Sequence, residues 1–135
     1  MSNPIQPSVL LRRVLLADAI VSAAVGALMA LGAPALQGLL GLPSSLLMLA
    51  GVALFPYAAY LVWLATRTRV PRAAVWLPIV LNLVWALDCG LLLFGGLFAP
   101  TALGVAFIVL HVITVLAFAE LEFVGLRRAC AIVPA

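Results

Sequence analysis

Apolar residues run almost without interruption through four stretches of the chain, near 12–33, 44–65, 74–97 and 102–126, and polar residues gather in the short segments between them. A hydrocarbon core about 30 Å thick needs about 20 apolar residues of helix to cross it, so each stretch is long enough for one span. The stretches lack the strict alternation of membrane β-strands, and helices are therefore predicted in place of a barrel. The expected fold is all-α: a transmembrane four-helix bundle with antiparallel, up-down topology, occupying residues 1–135 as a single transmembrane domain.

Composition agrees with the pattern. Of the 135 residues, 67% are hydrophobic and 8% charged, far from the roughly 25% charged residues of a soluble domain. The net charge of +3 comes from seven arginines with no lysine, and their placement matters more than their sum. Arg12 and Arg13 precede the first stretch, Arg67, Arg69 and Arg72 separate the second from the third, and Arg127 and Arg128 follow the fourth, while the other two connectors carry no charge. Under the positive-inside rule this puts both termini and the middle connector in the cytoplasm. The arginines are thus read as topology signals, with the lipid bilayer as partner and no nucleic acid. Arg12-Arg13, an apolar stretch and "APA" at 33–35 also imitate a secretory signal. The stretch is longer than a signal core, however, and contains Asp18.

Several chemistries lack their residues. Cys89 lies inside the third stretch and Cys130 in the tail, so the paired cysteines of a thiol oxidoreductase are missing. His111 is the sole histidine, too few for a haem held between two imidazoles or for a zinc cage. No metal site, cofactor or exposed nucleophile–base pair is expected, and the chain is read as no enzyme.

The polar residues inside the spans are the remaining candidates, because ionisable groups in a bilayer face the interior and find partners. Asp88 and His111 fall at nearly the same depth on antiparallel helices and form the first candidate, a buried polar pair. Asp18, Tyr60 and Asn82 come from three helices at similar depths and form a second polar level. Asn82 and Asp88 are six residues apart, about 120° around their helix, and cannot share a partner. Ser22, Gly26 and Ala30 follow Asp18 at four-residue spacing, a small-residue stripe suited to close helix packing. Pro56 predicts a kink near the middle of the second helix. Gly104, His111, Thr114, Phe118 and Glu122 share one helix face, with Glu120 pointing nearly the other way. Both glutamates lie close to Arg127 and Arg128, where a solvated or snorkelling position is expected.

Both hairpins carry an alanine-proline at the arginine-free turn, "GAPALQGL" and "FAPTALGV", which suggests related hairpins of one orientation rather than inverted repeats. The segments "LLRRVLLADAIVSAAVGALMALGAPAL", "VPRAAVW" and "AELEFVGLRRA" resemble a group of small uncharacterised bacterial integral membrane proteins. That resemblance implies a four-helix protein of the bacterial inner membrane and brings no activity or binding residue with it. The function expected is that of a small, non-enzymatic accessory or helix-packing subunit, assembling with itself or with a larger membrane partner. The alternative is a small proton- or ion-coupled transporter using Asp88 and His111.

Overall fold

The computed structural model describes residues 4–131, with the side chains of 130 and 131 left aside. Short strands and long helices follow one another as β1 (Pro4–Gln6), α1 (Val9–Leu31), α2 (Ala33–Leu40), α3 (Ser44–Thr66), β2 (Val70–Pro71), α4 (Arg72–Phe94), α5 (Ala102–Arg128) and β3 (Cys130–Ala131). Of the five helices, α1, α3, α4 and α5 are long and apolar enough to cross a membrane.

Local chemistry sets the helix ends. The Ser8 hydroxyl caps α1 by accepting from the Leu11 amide, and Thr101 caps α5 through the Gly104 amide. Prolines 43 and 71 hold extended backbone just ahead of α3 and α4. Gly41 ends α2 in the left-handed region at φ 72°, where a β-carbon would be strained. Pro56 and Pro78 both sit inside continuous helices, as membrane spans tolerate.

Two features extend the four-helix expectation. The first hairpin turns through a fifth helix, α2, which packs on the start of α5: the Leu40 carbonyl accepts from the Thr101 amide at 3.0 Å and the Leu39 carbonyl from the Thr101 hydroxyl at 2.6 Å. The segments flanking the bundle also pair as a small antiparallel sheet in the order β2-β1-β3. Pro4 faces Pro71, and Ile5 sits between Val70 and Ala131. This sheet brings the start of α1, the α3–α4 connector and the end of α5 together, and with them all seven arginines.

The core has two parts. One lies next to the sheet and includes Ile5, Leu11, Leu15, Leu61, Leu64, Val75 and Leu126; the other, toward α2, includes Met29, Leu40, Leu47, Cys89 and Ile108. α1 and α3 form the closest helix pair. A methyl group on Gly51 would lie 2.7 Å from the Ala30 amide nitrogen and 2.7 Å from the Gly26 carbonyl, so the Ser22, Gly26, Ala30 stripe packs against α3 of the same chain. Outward, large apolar side chains such as Ile20, Leu49, Leu87 and Leu110 are more than half exposed. That surface suits lipid, whereas water-soluble proteins rarely expose large contiguous apolar patches.

Candidate functional site

Between the two core parts lies a layer of polar side chains. Asp18, Ser22, Asn82 and Glu122 are the buried polar residues among those described, none more than 7% exposed. Asp18 comes from α1, Asn82 from α4 and Glu122 from α5, and α3 adds the half-buried Tyr57.

Asp18 is well supplied with donors. Its Oδ1 accepts from the Ser22 hydroxyl at 3.0 Å, one helical turn along α1. Its Oδ2 accepts from the Tyr57 hydroxyl at 2.8 Å and from the Asn82 amide at 3.2 Å. The same Asn82 nitrogen donates to Glu122 Oε1 at 3.3 Å. Glu122 Oε2 is buried with no hydrogen-bond partner. One neutral amide therefore joins two carboxyl groups, and one of their four oxygens has no partner. Arg12, near the start of α1, donates to the Ala65 carbonyl at 3.2 Å instead. Among the described residues no ion pair neutralises either acid.

The second polar level of the sequence reading comes together in part. Asp18 and Asn82 are hydrogen-bonded, whereas the Tyr60 hydroxyl turns away and donates to the Ala74 carbonyl at 2.7 Å. Tyr57 takes its place. The helix start bears on this: α1 begins at Val9, three residues before the apolar run suggests, so Asp18 stands about 4.5 Å further from the start of its helix than expected. That is nearly one turn, the distance from Tyr60 to Tyr57. Glu122 corrects the expectation more sharply. It is 0% exposed and not solvated, while Glu120 is exposed.

Asp88 and His111 do not form the buried pair. Asp88 is exposed, and no hydrogen bond or ion pair joins it to His111 among the described residues. His111 packs between rings instead, with centroids 5.8 Å from Trp85 and 5.5 Å from Phe107. Ring packing fixes the imidazole, and Asp88 stays at the rim of the space beside it.

That space is a partly open cavity of about 440 Å³ lined by residues of α1, α3, α4 and α5. Asp18, Ser22, Tyr57 and Asn82 line one end and Asp88 and His111 the other, with apolar and aromatic walls between. A second cavity of about 150 Å³ lies toward α2, and Trp85, Asp88, Phe107 and His111 line both. Cys89 lines the second cavity as a buried free thiol. The two acids of the cluster stand without a third carboxylate, histidine or cysteine close enough to hold a metal ion among the described residues.

No family model, curated protein or solved structure matches the chain. The site is therefore read from its own geometry. Glu122 was the residue sequence reasoning misplaced, although a signal existed. It falls five helical turns from Gly104 on the face that also carries His111, and that face points inward.

Proposed function

We propose that the chain is a small proton-coupled transporter of the bacterial inner membrane, with the coupling proton held between Asp18 and Glu122. The proposed arrangement is an up-down bundle with both termini and the α3–α4 connector in the cytoplasm. Its support is the gathering of all seven arginines at the sheet end, taken with the positive-inside rule.

The observation that carries the reading is the pair of buried acids on one amide without a cation. Two oxygens bonded to a single nitrogen lie within about 7 Å of each other, and two full charges so placed repel by about 2 kcal/mol even at an effective dielectric of about 20. Desolvation adds to that cost. One proton between the acids removes the repulsion and supplies the donor that Glu122 Oε2 lacks. The cavity beside Asp18 and Asn82 offers that proton a route, and Trp85, Asp88, Phe107 and His111 continue it toward the second cavity. The acid–imidazole route expected from the sequence thus becomes the outer part of a path whose proton store lies deeper.

An accessory role beside a larger membrane partner draws on the small-residue stripe of α1. That stripe is already packed on α3, which favours the transporter.

The test is reconstitution of the protein alone in vesicles carrying a pH-sensitive dye, with potassium and valinomycin to balance charge. Because the site as proposed can also cycle with the proton alone, an imposed pH difference should decay faster than in protein-free vesicles, and Glu122→Gln should remove most of the difference. Wild-type decay equal to that of empty vesicles would overturn the proposal.

A further inference from the structure

The cavity next to the carboxyl cluster specifies a class of solute. We infer that it binds a monovalent organic cation, an amine or quaternary ammonium with an aromatic or branched apolar body. The inference rests on the proton-coupled reading above and names its substrate.

Size comes first. About 440 Å³ falls within the roughly 300–1,000 Å³ of small-molecule pockets and is far more than one inorganic ion fills. The walls come second. Val25, Leu54 and Val115 offer no hydrogen bonds, so a hydrated or polyhydroxylated solute would lose its water without replacement. A hard metal cation fails on the same count, needing six or more oxygens where the cluster presents few.

Charge then selects among apolar solutes. The cavity ends on Asp18 and Asn82, behind which Glu122 Oε2 is buried and unpartnered. Asp88 adds a second carboxyl at the far rim, and no arginine lines the space. An anion would meet only like charge, and a neutral solute would leave the acids unanswered. A cation is answered at both ends. Tyr57, Trp85, Phe107 and Phe118 add aromatic faces along the wall, the surfaces on which quaternary ammonium groups are held by cation–π attraction.

The cation and the proton compete for one charge. When the cation enters, the proton shared by Asp18 and Glu122 leaves to water, and the site's net charge is unchanged. No covalent bond is made beyond that proton's transfer. Binding should therefore weaken as pH falls.

Benzyltrimethylammonium is a suitable probe, with benzylsulfonate as a counterpart of similar size and opposite charge. The full chain in lipid nanodiscs is titrated with each, following tryptophan fluorescence and calorimetric heat in two buffers of different ionisation enthalpy. The cation should bind saturably, release close to one proton per site, and quench fluorescence in wild type but not in Trp85→Phe. Asp18→Asn should weaken binding at least tenfold, and Glu122→Gln should abolish proton release. Asp88→Asn, at an exposed position where folding is not at stake, should weaken binding about threefold by removing a more distant charge. Equal binding of the sulfonate, or unchanged binding in both Asp18→Asn and Asp88→Asn, overturns the inference. No cation binding beside intact proton flux in vesicles overturns the solute class and leaves the proton reading standing.

Discussion

Gly26 of α1 and Gly51 of α3 meet backbone to backbone, so that a methyl group on either would lie within 2.8 Å of the other's carbonyl oxygen. No flexible side chain can yield there. Gly51→Leu should force the helices apart and cost about 1–3 kcal/mol, read as a lower denaturant midpoint in mixed micelles. Gly90 of α4 has nothing within 4 Å of such a methyl. Gly90→Ala should stabilise by about 0.5–1 kcal/mol, the ordinary gain of alanine over glycine inside a helix.

Asn82 supplies the only side-chain amide of the polar layer and serves two acids with one nitrogen. Asn82→Leu keeps the volume and removes the donor, leaving the Asp18 and Glu122 oxygens competing for fewer protons. The expected cost is about 3 kcal/mol. Paired Asn82→Leu and Glu122→Leu should recover part of that loss, because an apolar pair leaves no acid stranded; thermal melts of the four forms complete the cycle.

The two tyrosines of α3 separate structural from site effects. Tyr60→Phe leaves the Ala74 carbonyl without its donor and should cost about 1 kcal/mol with unchanged affinity for the cation probe. Tyr57→Phe removes a donor from Asp18 and should change that affinity as well as stability. Equal effects on affinity would show that the hydroxyl of Tyr57 has no special place in the site.

Asp88→Asn should leave stability within about 0.5 kcal/mol, since the residue is exposed and holds no hydrogen bond among the described residues. Chemical unfolding followed by circular dichroism checks this. A large loss would mean that Asp88 ties the bundle together through contacts made only in lipid.

The long helices were legible because a bilayer leaves so few alternatives for 20 apolar residues. Their rotations were not. Uniformly apolar surfaces carry no amphipathic stripe to say which side faces in, and only polar or small residues mark it. That sufficed for the Ser22, Gly26, Ala30 stripe and for the meeting of Asp18 with Asn82. It failed for Tyr60 because α1 starts at Val9, most of a turn before the apolar run, so the depth counted for Asp18 was too shallow, and for Glu122 because nearby arginines offered an easier explanation of its charge. The sheet was hidden for another reason: strands of two or three residues, two of them containing proline, lack the length for a period to show.

The order of the strands has a consequence for biogenesis. β1 is made first, yet it is the central strand, and its neighbours are completed only after α3 and after α5. The leading segment must therefore wait, unpaired on one side, until the last span has been threaded. Closure of the sheet therefore follows the placing of α5, and a chain cut before β3 would leave one edge of β1 unpaired.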